Sequence, residues 1–377
     1  MSLETLHVIL NVIMVFAALY LICIGAFTYG LSVLSRGDNK DATLWKIKKI
    51  SVLIAARNEA KNIERLLQSL YNQSYKKEDF EVVLVDDHSD DDTYGLVEKF
   101  AAAHPDLKIR LLKAEGNGKK QAISQALHAA ENEIIMVTDA DCELPVKWIE
   151  KMLAYYEKKD LKMLLGPVLL SPANSLFEKL QVLEHLSLIA STAGSAGIEM
   201  PVMCNGANMM YEREAAIAVE AERTDMNIAS GDDMFLMERF LKRFGNKAVS
   251  FFLNQEVIVK TATMPTLKAF FRQRRRWTSK TKAYTNWKII ATALIVLLFN
   301  LSIVAFFVGG FFNPVLWSFY VLYVIMKTLI DYPIIRRITA FMKQKKLKYW
   351  IFPLEFIYPF YVVFTAFAGM FTKTKWK

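Results

Sequence analysis

The chain has 377 residues, of which 53% are hydrophobic and 12% aromatic, and it carries a formal net charge of +9. That apolar share exceeds what soluble domains carry, so membrane-spanning segments are tested first. Much of the positive charge flanks apolar stretches, which points to anionic membrane lipid as partner and away from nucleic acid.

Residues 8–35 contain no charged side chain, enough for one membrane-crossing helix, and 1–35 is assigned as an N-terminal transmembrane helix. The preceding MSLETLH has no Lys or Arg, which argues against a cleaved signal peptide. Arg36, Lys40, Lys46, Lys48 and Lys49 follow, so the central region is expected on the cytoplasmic side.

Residues 50–264 read as one α/β domain. ISVLIAA, FEVVLVDD, KIRLLKA and EIIMVTDAD are strand-like runs, each followed by a helical pattern. Asn58 is expected to cap the first of these helices, and Pro145 lies near the start of the fourth. Such alternation predicts a mostly parallel sheet covered on both faces, with ligands beyond the carboxyl ends of its strands. Arg57, Glu59, Asp86, Asp87, Asp139 and Asp141 collect at those ends. No GxGxxG follows the first strand. EGNGKKQ is not a phosphate-binding P-loop, because Lys120 replaces the required Ser or Thr and Lys113 the first Gly. Further on, Leu176, Leu180, Leu183 and Leu186 form an apolar helical stripe, suited either to a membrane surface or to a core.

Residues 265–288 are expected to form an interfacial helix containing QRRRW, and 289–371 a C-terminal transmembrane region. Spans are read at 289–311, 315–335 and about 349–371, the last interrupted by Pro353, Glu355 and Pro359. Lys327 and Asp331, four apart, form either an intramembrane ion pair or part of a polar pathway. Basic residues between Arg336 and Lys348 place that loop inside, giving four spans with both termini outside. The terminal KTKWK conflicts with this, and a re-entrant or interfacial last segment is the alternative.

Three motifs carry candidate chemistry. Asp139 and Asp141, two apart just past a strand, are expected on extended backbone, where they point the same way and address one divalent cation; the alternative is an acidic loop capping the following helix, and hard carboxylate oxygens suit Mg2+ or Mn2+. Gly231-Asp232-Asp233 opens a helix, and a carboxylate there serves as an N-cap or as a general base for a hydroxyl. Gln273, Arg276 and Trp277 share one helix face, fit either for lipid headgroups or for a diphosphate and a sugar ring. Cys23, Cys142 and Cys204 make no disulfide framework, and the five histidines lack zinc-ligand spacing.

The order VDD, GKKQAIS, DAD, GDD, QRRRW, followed by apolar spans, resembles the family-2 inverting glycosyltransferases of GT-A fold. It is most similar to their membrane-integrated branch, which includes cellulose, chitin and hyaluronan synthases. The resemblance implies a UDP-sugar donor, a Mg2+ or Mn2+ cofactor and a β-linkage formed by inversion. It implies nucleotide contacts from Ala55, Arg57, Glu59, Asp86, Asp87, Lys119 and Asp139, and metal ligation by Asp139 and Asp141. Asp233 matches the family's catalytic base. Gln273, Arg276 and Trp277, with Asp232, match positions at the diphosphate and acceptor, and Asn205 and Gly206 sit in a loop similar to an acceptor-lining segment. The acceptor is then a saccharide chain, in polysaccharide synthesis, or a lipid-linked molecule receiving a single sugar. A non-catalytic membrane scaffold would be expected to have lost these residues. The expected location is the plasma (bacterial inner) membrane with the catalytic domain cytoplasmic; no export or accessory subunit is identified by the sequence.

Overall fold

The computed structural model describes residues 3–36, 47–223 and 231–370. Lys40, Lys46 and the KTKWK tail, on which part of the orientation argument rests, lie outside these residues. In chain order, helix α1 (Leu3–Arg36) precedes β1 (Ile50–Ala56), α2 (Ile63–Tyr71), β2 (Phe80–Asp86), α3 (Thr93–Ala103), β3 (Lys108–Lys113) and α4 (Lys119–Ala129). Then come β4 (Ile134–Val137), α5 (Trp148–Lys159), β5 (Met163–Leu165), β6 (Val168–Leu170), α6 (Leu176–Gly197), β7 (Met209–Glu212) and α7 (Arg213–Glu220). The last part holds α8 (Asp232–Phe244), β8 (Val249–Phe251), β9 (Val259–Thr261), α9 (Leu267–Thr278), α10 (Trp287–Gly309), α11 (Val315–Phe341), α12 (Ile351–Glu355) and α13 (Tyr358–Met370).

These elements form two units, and the division does not follow the chain. One comprises residues 33–36, 47–172, 203–223 and 231–263; the other comprises 3–32, 173–202 and 264–370. The expected domain 50–264 is therefore interrupted at α6, whose Leu183 and Leu186 are buried. Gly194 and Gly197 of α6 let its backbone meet α1. A Cβ on Gly194 would lie 2.3 Å from the Phe27 carbonyl oxygen, and one on Gly197 2.2 Å from that of Gly30. Glycine is required wherever two helix backbones approach this closely. Leu176, at the other end of the stripe, is exposed.

The α/β unit is built on a seven-stranded sheet of order β3-β2-β1-β4-β7-β5-β8. Strands β3, β2, β1 and β4 run parallel, β7 is antiparallel to both neighbours, and β5 and β8 are parallel. Every residue of β1 and β2 is buried, as continuous apolar runs in a doubly covered parallel sheet should be. Strand β3 is one edge, and its Lys108, Arg110 and Lys113 disfavour further pairing there. A second, two-stranded sheet pairs β6 with β9.

Among the described residues, three helices are long and apolar enough to cross a membrane, within α1, α10 and α11. The last expected span is broken: Lys345–Glu355 and Tyr358–Gly369 are bent by 75° to one another, so they form either a broken span or a re-entrant loop. Lys327 and Asp331 do pair, at 2.6 Å, and Glu355 lies 2.8 Å from the same ammonium. The Tyr20 hydroxyl donates to both Asp331 oxygens, at 2.8 and 2.9 Å.

Two local expectations are corrected. Asn58 is not a helix cap: α2 starts at Ile63, and Asn58, at φ +55°, instead accepts from the Asp90 amide through its side-chain oxygen at 2.7 Å. Asp139 and Asp141 do not sit on extended backbone either. Strand β4 ends at Val137, and the Cys142 amide bonds back to the Asp139 carbonyl at 3.1 Å, making a turn. Alternation along a strand therefore does not govern where these two carboxylates point.

Candidate active site

The site is built at the carboxyl ends of β1, β2 and β4, from residues of the α/β unit. Asp87 is 0% exposed and accepts from the Gly118 amide through both oxygens, at 3.0 Å each. Arg57 lies 3.8 Å from the same carboxylate. Gly118 has φ +96°, a conformation that favours glycine, and it starts α4 with Lys119 as the first helical residue. Asp86, by contrast, is committed locally, accepting from the Ser89 amide at 3.2 Å and its hydroxyl at 2.5 Å. Glu59 is buried, and its side chain accepts from Asn62 at 2.8 Å. Ala55, expected at the nucleotide, is a buried residue inside β1, in register with Val85, and the loop carrying Arg57 and Glu59 begins only after Ala56.

Lys119 crosses to the turn after β4, its Nζ 2.5 Å from Asp139 Oδ1. Burial by itself would lower the pKa of this ammonium. The charges of Asp139, then Asp232, then Asp233, together with the hydrogen bond to Asp139, outweigh it and hold the group well above the usual lysine range. Lys119 thus pairs with Asp139 and lies within electrostatic reach of Asp232 and Asp233.

Gly231, whose φ is +89°, is the N-cap of α8, so neither following aspartate is the capping residue. Asp233 instead accepts from the Gly206 amide through Oδ2 at 3.1 Å and from the Met234 amide through Oδ1 at 2.8 Å. A Cβ on Gly206 would lie 3.4 Å from Asp233 Cβ and 3.7 Å from Lys119 Nζ. An open cleft here is lined by Gly206, Asp232, Asp233, Lys120 and Tyr211 among others. Asn205 turns its side-chain oxygen to the Ala207 amide at 3.0 Å, shaping the loop that carries Gly206.

Asn208 anchors that loop, a role the sequence pattern does not signal. It is 0% exposed, accepts from Trp148 Nε1 at 2.9 Å, and donates to the carbonyls of Pro167 and Val257 at 2.9 and 2.8 Å. Asp141 is held by residues equally remote in sequence: Thr261 Oγ1 donates to its carboxylate at 3.1 Å, and Arg65 to its carbonyl at 2.9 Å.

The donor set bears on metal binding. Among the described residues no group of three or more His, Cys, Asp or Glu is arranged to hold a metal. Asp139 and Asp141 supply two hard carboxylates, a set that fits a cation completing its shell with phosphate oxygens and water, and does not fit an all-protein cage.

Gln273, Arg276 and Trp277 lie on α9, in the helical unit. The guanidinium beside the indole is that of Arg274, 4.2 Å from the Trp277 ring, and not that of Arg276. Arg274 lies three before Trp277, about one helical turn, and is the buried one of the three arginines that precede the ring.

Residues 51–218 match the model of a family described as Glycosyl transferase family 2. The chain is 31% identical over 111 residues to a β-monoglucosyldiacylglycerol synthase of Trichormus variabilis, covering 29% of this chain and 24% of that one. It is 27% identical over 223 residues to a poly-β-1,6-N-acetyl-D-glucosamine synthase of Staphylococcus aureus, covering 56% of this chain and 52% of that one. These matches thus span about half or less of the curated relatives' length. Among solved structures, the mannosyltransferase PcManGT of Pyrobaculum calidifontis, in complex with GDP-Man and Mn2+, aligns with a TM-score of 0.62 and 18% identity. The alignment covers 97% of this chain and 99% of that one, and establishes a shared fold.

Proposed function

Because this chain carries a family-2 glycosyltransferase domain, we propose that it is a membrane-bound enzyme transferring sugar from a nucleotide diphosphate to an acceptor hydroxyl. The proposed donor is a UDP-sugar, the outcome inversion to a β-linkage, and the product a β-linked polysaccharide. The observation that carries this reading is the convergence of Lys119, Asp139, Asp232, Asp233 and Gly206 beyond the sheet's carboxyl edge.

Each residue then has a chemical task. Asp233, oriented by two backbone amides, takes the proton of the acceptor hydroxyl as it attacks the anomeric carbon. The Asp87–Gly118 bonds fix the start of α4, so that Lys119 presents its charge where phosphate oxygens would collect. Asp139 and Asp141 are the residues that would hold a divalent cation, Mg2+ or Mn2+, which when bound neutralises charge on the departing diphosphate. Arg57, Ala55, Glu59 and Asp86 shape the nucleotide end. The roles of Arg276 at the diphosphate, and of Gln273 and Trp277 at the acceptor, are part of the same proposal. So is the placement in the plasma membrane with the α/β unit cytoplasmic.

A second reading, addition of one sugar to a lipid acceptor, is favoured by the interior of the helical unit. Phe299, Phe306, Tyr323 and Val324 are buried there and Lys327 pairs with Asp331 and Glu355, so these helices pack on one another. Purified full-length chain in detergent, given UDP-sugars or GDP-mannose with Mn2+ or Mg2+, tests both readings when the product is sized. Long chains support the polysaccharide reading and a single added residue the lipid one. Asp233→Asn should lower transfer about 10²-fold or more while sparing UDP binding; ordinary turnover in that variant would remove Asp233 from the mechanism.

A further inference from the structure

Arg274 is the innermost residue of α9 and has no part in the reading above. It is 3% exposed, and its Nε and Nη2 reach Glu184 Oε1 at 3.1 Å and Oε2 at 2.5 Å, a two-point ion pair. Glu184, 5% exposed on α6, also accepts from the Tyr361 hydroxyl of α13 at 3.0 Å. The guanidinium carbon lies 4.5 Å from the centre of the Phe270 ring and 4.2 Å from that of Trp277. Helix α9 is further tied to α13 by Thr278, which donates to the Thr365 carbonyl at 3.0 Å. Burial of so polar a group is tolerated because the carboxylate and the rings together satisfy it.

The remaining contact bears on substrate recognition. Arg274 Nη1 donates to Gln273 Oε1 at 2.5 Å. A guanidinium has donors and no acceptor, so only the oxygen of the Gln273 amide can face it. The amide nitrogen must then point away, and among the described residues it makes no hydrogen bond. We infer that Arg274 is a positioning residue: it orients Gln273 to present an N–H donor to a hydroxyl oxygen of the acceptor, and it holds Trp277 as a fixed ring against the acceptor sugar. This rests on the reading that the chain transfers sugar to an acceptor bound at Gln273 and Trp277. A role confined to stapling α9 to α6 and α13 would affect donor and acceptor alike.

The two roles separate in steady-state kinetics. Full-length chain in detergent would be assayed with UDP-N-acetylglucosamine and a β-linked N-acetylglucosamine tetramer, and with UDP-glucose and diacylglycerol. Gln273→Glu keeps an oxygen for Arg274 and replaces the outward donor by an acceptor. It should raise the acceptor KM by about tenfold or more, leaving the donor KM within about twofold. Arg274→Lys, which keeps the charge and loses the fork, should raise the acceptor KM by a smaller factor, and Arg274→Met by a larger one. An acceptor KM unchanged in Gln273→Glu overturns the inference, as does an equal rise of both KM values in Arg274→Lys. If Arg274→Met does not fold, Gln273→Glu carries the test, since its ion pair to Glu184 is intact. Wild-type chain that turns over neither pair overturns the functional reading, and the inference with it.

Discussion

Lys119 Nζ and Asp139 Oδ1 lie 2.5 Å apart, joining the first residue of α4 to the turn after β4. Because the surrounding carboxylates raise the lysine's pKa, its ammonium persists through neutral and mildly alkaline solution. The sign follows from linkage. A cation stabilised in the fold contributes fully below its unfolded pKa, about 10.4, and loses that contribution only as pH rises through the higher folded value. Activity between about pH 7 and about pH 10 should therefore show no inflection from Lys119, and Lys119→Arg should keep the profile's shape. Lys119→Met should lower kcat/KM by about 10²-fold at every pH in that range, measured with saturating metal.

Metal requirement is predicted to depend on a residue outside the acidic motif. Chelation should abolish turnover, and Mn2+ or Mg2+ should restore it. Thr261→Val removes the hydroxyl that holds Asp141 at 3.1 Å. It should raise the metal concentration for half-maximal activity by about tenfold, read from a metal titration, with little change in maximal rate.

Asn208→Ala should act through stability. It deletes hydrogen bonds to Trp148, Pro167 and Val257, leaving a donor and two acceptors without their partner in a buried place. A loss of about 2–4 kcal/mol is expected, seen as a lower denaturation midpoint of the full chain. Loosening of the loop carrying Gly206 should lower transfer even in the fraction that remains folded.

The Lys327 cluster yields an asymmetric prediction. Lys327, 1% exposed, serves Asp331 at 2.6 Å and Glu355 at 2.8 Å. Lys327→Met leaves two carboxylates together and should destabilise the helical unit by about 3–5 kcal/mol. Adding Asp331→Asn and Glu355→Gln to the same variant should recover most of this. Thermal denaturation in detergent distinguishes the single from the triple variant; equal midpoints would assign the cluster no energetic role.

Sequence alone determined β1 to β4 and most of the helices, since runs such as ISVLIAA, FEVVLVDD and KIRLLKA carry their pattern within a few residues, while the three- and four-residue strands β5 to β9 are too short to mark themselves. It also determined the three long apolar helices and put Lys327 and Asp331 within reach of one another by i,i+4 spacing, leaving the structure to show that they pair. The motif order grouped Lys119, Asp139 and Asp233, and the fold brings them to one edge of the sheet. Tertiary structure decided what depends on distant partners. Thr261 against Asp141, Trp148 against Asn208 and Glu184 against Arg274 are separated by 120, 60 and 90 positions, and no local pattern marks them. It also decided that the DAD carboxylates lie on a turn, that Arg274 takes the Trp277 ring, and that α6 joins the helical unit. Short-range periodicity encodes which face a residue shows; which buried partner satisfies it is settled only when the chain closes on itself.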